Sequence, residues 1–391
     1  MTLPNPAAAL SSAPVSQSNR IRVAIICDFL EENWPSMELV GNMLYEQLGK
    51  NEAVDPHRIR PAMKFRGERP GRSTRLYARF MQYPKLVKKL ASDFDVFHIT
   101  DHSYAHLVHD LPPGRTLVTC HDLDTFRCLL EPDREPRSFA FRSMTRRILS
   151  GLQSAAHVTC DTAATRDGIL VYGLVPPERL TVVHNGVHPA LSPHSDSVAD
   201  EELARKLGRK AGRCSELLHV GSTISRKRID VLLHVFAEVR KQKPDVRLLR
   251  VGPPFSPQQE ALARSLGVRD HIDCLEHVTT RILGACYRRA SVLLQPSESE
   301  GFGLPVIEAM ACGTPVIASD IPSLREIGGD AAAYCAVAQV AGWCDKVVAL
   351  LSCDERSKGI IRLATLQQAS FFTWTNYADH MLEIYEKVFA S

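Results

Sequence analysis

The stretch ESEGFGLPVIEAMACGTPVIASD, residues 298–320, is the starting point for interpreting the whole chain. It follows an apolar run at 292–295 that is typical of a buried strand, and it passes through a glycine-containing turn into a short helix. Pro305 suits the first position of that helix, and Gly313 suits the position just after its end. Residues 315–318 predict the next strand. The free N–H groups at the start of such a helix favour an anion.

Two carboxylates bracket this turn. Glu300 lies before the predicted helix and Glu308 lies within its first turns, with seven residues between them. This spacing is too wide for one tight metal pair, but it allows the two side chains to hold two parts of an extended ligand.

Composition indicates a soluble globular protein rather than a membrane-spanning or disulfide-bonded one. The chain has 391 residues, 45% of them hydrophobic and 23% charged, which suits two domains. No apolar run approaches the roughly 20 residues needed to span a bilayer. Residues 1–19 predict a disordered tail. Eleven cysteines without a C-x-x-C pair predict reduced thiols in a cytosolic protein, with no disulfide and no zinc site.

Predicted strands alternate with predicted helices twice along the chain. An irregular, polar segment at 188–214 with Pro189 and Pro193 separates the two series. This alternation predicts two doubly wound α/β domains with parallel sheets. The predicted parts are a first domain at 20–190, a linker at 191–214, a second domain at 215–371 and a final helix at 372–391.

The stretch 298–320 closely resembles the donor-binding signature of the family 4 retaining glycosyltransferases, also called group 1. The match includes the Glu-x7-Glu spacing, the Gly-Phe-Gly-Leu-Pro insert and the Ala-Met-Ala-Cys-Gly-Thr-Pro-Val tail. The resemblance implies the GT-B architecture, in which two Rossmann-like domains face each other across a cleft and the last helix crosses back to the first domain. It also implies a retaining transfer from a nucleoside-diphosphate sugar.

The resemblance assigns roles around the turn. Glu300 would hydrogen-bond hydroxyls of the donor sugar, and Glu308 would accept hydrogen bonds from the ribose hydroxyls. Backbone N–H groups of the turn would meet the sugar and phosphate, and the residues involved are Gly301, Phe302, Gly303 and Leu304.

Fixed positive charge is predicted to take the place of a metal at the donor phosphates. The loop at 221–230 follows a strand and opens a helix, and Lys227 matches the family lysine. Ser222 stands where a common form of the motif has arginine, so Arg226 is the candidate for that role, and both residues are predicted to contact the donor. A solvated basic helix start is the alternative. Asp122 and Asp124 superficially match an Asp-x-Asp metal motif, but a short polar loop fits better. The sequence therefore predicts no metal and no cofactor.

Three residues of the first domain are predicted at the cleft. His121 matches a family histidine that faces the donor sugar, and it is predicted to be catalytic together with Glu300 and Lys227. His102 and Asp122 also end predicted strands and are candidates for contacting the acceptor. The alternative for both histidines is a purely structural role.

Positive charge is concentrated between residues 58 and 89, where eleven Lys or Arg residues accompany one acid, Glu68. This segment predicts binding to an anionic membrane surface or to a phosphorylated lipid acceptor. A solvated charged face is the alternative. No nucleic-acid-binding motif is present, so nucleic acid is not a predicted partner.

Together these features predict a metal-independent, hexosyltransferase-like enzyme that moves a sugar to a glycan or lipid-linked acceptor. The expected setting is bacterial-type polysaccharide or lipopolysaccharide assembly, in the cytoplasm and peripheral to the inner face of the membrane. Two alternatives stay open: a sugar-nucleotide epimerase of the same architecture, and a non-catalytic glycan-binding relative.

Overall fold

The computed structural model describes residues 20–65, 70–209 and 214–390. The predicted tail at 1–19 and part of the basic segment, residues 66–69, lie outside this description. The strands are β1 (Ile21–Ile26), β2 (Val54–Ile59), β3 (Val96–Ile99), β4 (Thr116–Cys120), β5 (His157–Cys160), β6 (Leu180–Val182), β7 (Glu216–Val220), β8 (Arg247–Val251), β9 (Ile272–Leu275), β10 (Val292–Gln295), β11 (Val316–Ser319) and β12 (Ala333–Cys335).

The α-helices flank these strands. They are α1 (Pro35–Leu48), α2 (Arg72–Tyr77), α3 (Tyr83–Leu90), α4 (Arg127–Leu130), α5 (Phe139–Ser154), α6 (Ala163–Val171), α7 (Ser197–Leu207), α8 (Ile229–Gln242), α9 (Pro257–Ser265), α10 (Thr280–Arg289), α11 (Leu304–Ala311), α12 (Pro322–Gly328), α13 (Val340–Leu351), α14 (Glu355–Ala369) and α15 (Trp374–Phe389).

The strands form two six-stranded sheets. The first has the order β2-β1-β3-β4-β5-β6 and the second the order β12-β11-β10-β7-β8-β9, and every pairing is parallel. Parallel strands are covered by helices on both faces, which explains why β3, β4, β5 and β10 are buried along their whole length. The predicted fold class, two doubly wound α/β domains, is confirmed.

The second sheet has the strand order of a Rossmann fold. From β7 the chain adds strands toward one edge of the sheet, and from β10 it adds them toward the other edge, so the strand order reverses between β7 and β10. Ligands of open α/β sheets bind outside the carboxyl ends of the strands at such a reversal. The loop after β7 begins at Gly221, and the loop after β10 contains Glu300. The two loops selected from the sequence therefore leave neighbouring strands at the expected binding edge.

The last helix, α15, covers a face of the first sheet. Its buried residues Trp374, Tyr377, Met381 and Tyr385 pack with apolar residues of β1, β3 and β4. The chain crosses to this position beside the connection between the two sheets, where Val187 N–H donates to the carbonyl oxygen of Phe372 (3.0 Å). The first sheet thus obtains part of its core from the end of the chain.

The description of 188–214 as irregular is wrong, because residues 197–207 form α7. The side chain of Asp196 caps its first turn, and Gly208 follows its end with a positive φ of 65°. Its buried residues Ala199 and Leu203 pack in the same apolar cluster as residues of α10. The two helices are also joined by Arg281 and Asp196 (2.7 Å).

The basic segment is helical over most of its described part. A π-helical turn at 78–82 joins α2 to α3, and Leu76, Tyr77 and Met81 are exposed beside the cations. Two of these cations lie over aromatic rings, Arg79 over Tyr104 at 4.1 Å and Arg58 over Tyr45 at 5.3 Å. Of the helices in the described part of the chain, none combines the length and hydrophobicity needed to cross a bilayer.

Candidate functional site

Glu300 lies in a dense set of hydrogen bonds at the carboxyl edge of the second sheet. Lys227 Nζ donates to both carboxylate oxygens, at 2.6 and 2.8 Å. Gln295 Nε2 (2.6 Å) and Ser297 Oγ (2.7 Å) also donate to Oε1. Arg226 Nη1 lies 3.3 Å from Oε2. The structure therefore brings Glu300 of the turn at 298–308 together with Lys227 and Arg226 of the loop at 221–230.

The charges around Glu300 keep its carboxylate ionised although it is buried. Burial alone would raise its pKa, but the positive charges of Lys227 and Arg226, with hydrogen bonds from Lys227 and Ser297, lower the pKa of Glu300 below its ordinary value. The site thus presents one anionic group held by two cations.

A buried arginine that sequence analysis missed supports the loop beneath this cluster. Arg250 of β8 is fully buried, and its guanidinium donates to the carbonyl oxygen of Gly221 (3.1 Å) and to that of Pro253. It joins the loops that follow β7 and β8. The signal available in the sequence was a charged residue in the middle of an otherwise apolar strand.

Arg226 also reaches across the cleft to the first domain. Its Nε lies 2.8 Å from Asp124 Oδ2 and its Nη2 lies 3.7 Å from Asp122 Oδ2. One guanidinium therefore bridges Glu300 in the second domain and the Asp-x-Asp segment in the first. Among the described residues, no cluster of three or more His, Cys, Asp or Glu side chains is arranged to hold a metal ion.

The two domains touch directly at Gly301. A Cβ atom at this position would lie 2.0 Å from the carbonyl oxygen of His121, so only glycine permits this approach. The carbonyl oxygen of Gly301 accepts a hydrogen bond from Thr162 Oγ1 (2.9 Å). The turn predicted to bind the donor is therefore also the point at which the cleft closes.

His121 lies at this contact, but its ring does not face the cleft. Nδ1 donates to Asp161 Oδ2 (2.6 Å) and Nε2 donates to the carbonyl oxygen of Thr100 (2.7 Å). Burial disfavours the imidazolium, but the Asp161 carboxylate outweighs this and raises the pKa of His121 to about 10. Both ring nitrogens are thus bonded to protein groups, so that His121 ties together the carboxyl ends of β3, β4 and β5. Contact of this imidazole with the donor sugar stays a prediction.

His102 is likewise buried, with both ring nitrogens engaged. Nδ1 accepts from the backbone N–H of His121 (3.3 Å), so Nε2 carries the proton and donates to Thr125 Oγ1 (3.0 Å). Direct contact between His102 and an acceptor stays a prediction. Asp122, the other predicted acceptor residue, accepts from the backbone N–H of Asp124 (3.0 Å) and is partly exposed.

Glu308 and the start of α11 form the remaining part of the predicted donor site. Glu308 is 7% exposed and accepts from Tyr287 Oη (2.7 Å), and burial raises its pKa above the ordinary value. Gly303 precedes the helix with a φ of 101° and provides no side-chain cap, while Pro305 is its second residue rather than its first. The side chain of Phe302 packs against Phe372, with ring centroids 6.0 Å apart.

Ser222, in the loop after β7, is partly buried. Its contact with the donor stays a prediction.

A cavity of about 210 Å³ lies between the domains, next to Arg226. Its walls come from the segment after β4 and from the loop after β7. The lining residues include Thr125, Arg127, Arg137, Phe141, Ile224 and Arg226. Arg127 and Arg137 were not predicted from the sequence, because they stand among acids and give no net local charge.

Two family models match the chain, one on each sheet. The model described as Glycosyltransferase Family 4 matches residues 20–191, and the model described as Glycosyl transferases group 1 matches residues 200–366.

A curated relative is the D-inositol 3-phosphate glycosyltransferase of Segniliparus rotundus, 33% identical over 222 residues. That match covers 55% of this chain and 48% of the relative. The chain thus spans about half the length of the curated relatives it matches.

Solved structures resemble the chain over nearly its whole length. The sucrose-phosphate synthase of Thermosynechococcus elongatus has a TM-score of 0.75 and 20% identity, covering 95% of this chain and 100% of that one. Anabaena HepE in complex with UDP and glucose has a TM-score of 0.73 and 14% identity, covering 94% and 100%. At these identities the similarity is one of fold.

Proposed function

Because the chain belongs to the group 1, family 4 glycosyltransferases and has the GT-B fold, we propose that it transfers a sugar from a nucleoside-diphosphate sugar to an acceptor hydroxyl with retention of configuration. The observation that carries this proposal is the cluster of Glu300, Lys227 and Arg226 at the reversal point of the second sheet. The structural relative solved with UDP and glucose supports a nucleotide-sugar donor.

Positive groups next to Glu300 would stabilise the departing diphosphate. Lys227 has three N–H donors and uses two of them on Glu300, which leaves one for a phosphate oxygen. Arg226 has five N–H donors and also keeps some free. The N–H groups of Gly303 and Leu304 at the start of α11 add a favourable helix dipole. These groups act on the charge that grows as the bond to the sugar breaks.

Carboxylates would orient the rest of the donor. Glu300, ionised and fixed by its four partners, would accept hydrogen bonds from sugar hydroxyls. Glu308 has one oxygen bonded to Tyr287, and its other oxygen would accept from the ribose. His121 is assigned a positioning role, since it holds the strand ends against which Gly301 closes.

Metal independence is part of the same proposal. The carboxylate of Asp124, the better-placed member of the Asp-x-Asp pair, is paired with Arg226 at 2.8 Å, so a divalent cation would have to displace a guanidinium. This pairing supports charge stabilisation by Lys227 and Arg226.

The acceptor stays open between two chemistries. The sequence predicts a glycan or glycolipid of polysaccharide or lipopolysaccharide assembly. The name of the curated relative, D-inositol 3-phosphate glycosyltransferase, favours a phosphorylated polyol instead.

A panel of nucleotide sugars tests the donor proposal. We expect one UDP- or GDP-linked sugar to raise the melting temperature. A ligand at 100 times its dissociation constant raises the free energy of unfolding by about 2.7 kcal/mol. The shift should persist in EDTA and should be lost in Lys227→Ala. NMR of the product's anomeric proton checks retention. If no nucleotide sugar stabilises the chain, or if EDTA removes the shift, the corresponding part of the proposal fails.

Membrane association through the basic segment remains a prediction, supported by the exposed Leu76, Tyr77 and Met81 among its cations. Lys88→Gln with Lys89→Gln should weaken binding to phosphatidylserine vesicles on the order of thirtyfold, at about 1 kcal/mol per cation. Co-sedimentation measures this. Lys241→Gln with Lys358→Gln, exposed on the second domain, is the matched control and should leave binding unchanged. Equal losses in both double variants would indicate non-specific attraction only.

A further inference from the structure

We propose that Glu326 is a positioning residue that holds the turn at 298–308 against the first domain, by capping a helix of that domain. Glu326 belongs to α12 in the second domain, and its carboxylate reaches the start of α6 in the first. The inference deepens the proposed transfer reaction, and it rests on that reaction only where turnover is measured.

The first turn of α6 is capped by groups from both domains. A helix start leaves its first N–H groups without partners inside the helix. Ala163 N–H donates to Glu326 Oε1 (2.8 Å), and Ala164 N–H donates to Oε2 (3.3 Å). The N–H of Thr165 donates to Oγ1 of Thr162, the N-cap residue (3.2 Å). The second domain therefore supplies the partner for two of these three N–H groups, and both would be left to water if the domains moved apart.

Glu326 occupies this helix start as an anion. Burial raises the pKa of its carboxyl group, but hydrogen bonds from His184 and from the first two N–H groups of α6 outweigh burial and lower the pKa below its ordinary value. His184 Nε2 donates to Glu326 Oε1 at 2.8 Å. The helix dipole also favours a negative charge at this end. The Glu326 side chain is only 20% exposed, so solvent and salt screen these interactions incompletely.

The helix that carries Glu326 is packed directly against the turn at 298–308. A Cβ atom on Gly303 would lie 2.6 Å from Leu324 Cδ2 of α12. The same turn is bonded to the start of α6, because Thr162 Oγ1 donates to the carbonyl oxygen of Gly301 (2.9 Å). Glu326 and the turn thus meet the first domain at one helix start. Displacing Glu326 from α6 should therefore also move the turn away from the first domain.

This arrangement separates donor binding from the alignment of the domains. The side chains proposed to bind the donor, Lys227, Glu300 and Glu308, all belong to the second domain. Loss of Glu326 removes none of their contacts, but it changes how closely the first domain approaches them. A misplacement of about 1 Å at a reacting site can cost on the order of 100-fold in rate. Glu326 should therefore affect turnover more than donor affinity.

Amide hydrogen exchange followed by mass spectrometry tests the contact between the domains without any substrate. Glu326→Gln keeps the volume of the side chain and removes its charge. We expect the amides at 163–166 to exchange about 10- to 100-fold faster in this variant, as for loss of hydrogen bonds to a charged group. The amides at 299–304 should accelerate by a similar factor, because Gly301 packs against the first domain. Glu355→Gln is the matched control: its side chain is 90% exposed on the second domain, and exchange at both segments should stay unchanged.

Faster exchange at 163–166 alone would overturn the proposal, because Glu326 would then be a local helix cap without effect on the turn. Unchanged exchange at both segments would overturn it as well.

Turnover with the donor found in the panel provides a second readout. In Glu326→Gln it should fall at least about tenfold, while calorimetry shows an unchanged affinity for the donor. Wild-type turnover, or a loss of donor affinity as large as the loss of turnover, would overturn the positioning role. If the wild-type chain shows no transfer, the proposed function fails, and hydrogen exchange still decides whether Glu326 holds the domains together.

Discussion

Glu300→Gln is expected to lower turnover about 10²–10³-fold, the range typical of removing one preorganised polar group from a transition-state site. The amide keeps the volume of the side chain but removes the negative charge that Lys227 and Arg226 surround. Both cations would then lack their shared carboxylate, and one of the amide's N–H groups would face donors rather than acceptors. Lys227→Ala should lose transfer similarly, because it removes a cation that we propose stabilises the departing diphosphate.

Steady-state release of UDP or GDP from the donor found in the panel measures this effect, and circular dichroism checks the fold. Glu298→Gln provides a matched control two residues away, since its side chain is 62% exposed and, among the described residues, forms an ion pair only with Arg228, at 3.8 Å. It should keep wild-type turnover. A Glu300→Gln enzyme within a few-fold of wild type would show that the carboxylate is not part of the reacting site.

Asp161→Asn is expected to destabilise the fold by about 3–5 kcal/mol, the usual cost of removing one partner from a buried ion pair. Asp161 and His121 are 3% and 8% exposed and lie 2.6 Å apart. Without the carboxylate, the imidazolium would be left buried among β3, β4 and β5, or it would have to lose its proton. Urea unfolding followed by circular dichroism measures the change.

The pH dependence gives this prediction a second, independent readout. The folded pKa of His121, about 10, lies above its ordinary value of 6.5, so the stabilisation is fully present below about pH 6.5 and is lost as the pH rises toward 10. The deficit of Asp161→Asn relative to wild type should therefore be larger at about pH 6 than at about pH 9.

Asp167→Asn is the control, because Asp167 is exposed on α6 and its one ion pair in the described part of the chain is with its neighbour Arg166. It should change stability by a small fraction of the Asp161→Asn effect. A deficit for Asp161→Asn that does not depend on pH would mean that the charge of His121 is not what Asp161 stabilises.

One helix, α7, could have been predicted from the sequence but was interpreted as part of an irregular linker. The helix α7 has a capping aspartate, a terminal glycine and apolar residues four apart at 199, 203 and 207. The neighbouring prolines and high polarity favoured an irregular linker. The physical signal for a helix lies in its caps and apolar spacing, and both were present.

The contacts of the two histidines depend on residues that are distant in the chain. Their positions after β3 and β4 correctly indicated the cleft edge of the first sheet. Whether their ring nitrogens face ligand or protein depends on Asp161, Thr100 and Thr125, and the first of these lies 40 residues from His121. No local pattern encodes such a partner.

The sequence by itself determined the class of the fold and led to the prediction of the donor half of the site, because both depend on short-range order. Alternating apolar runs and helices specify parallel sheets, and the turn at 298–308 carries its carboxylates and helix start within a few residues. Only the tertiary structure decided the contacts and the cavity between the two domains. The contact of Gly301 with His121, the bridge from Arg226 to Asp124 and the cavity between the domains join groups that are distant in the chain. They exist because two separately folded sheets meet, and the geometry of that meeting is set by packing over the whole interface.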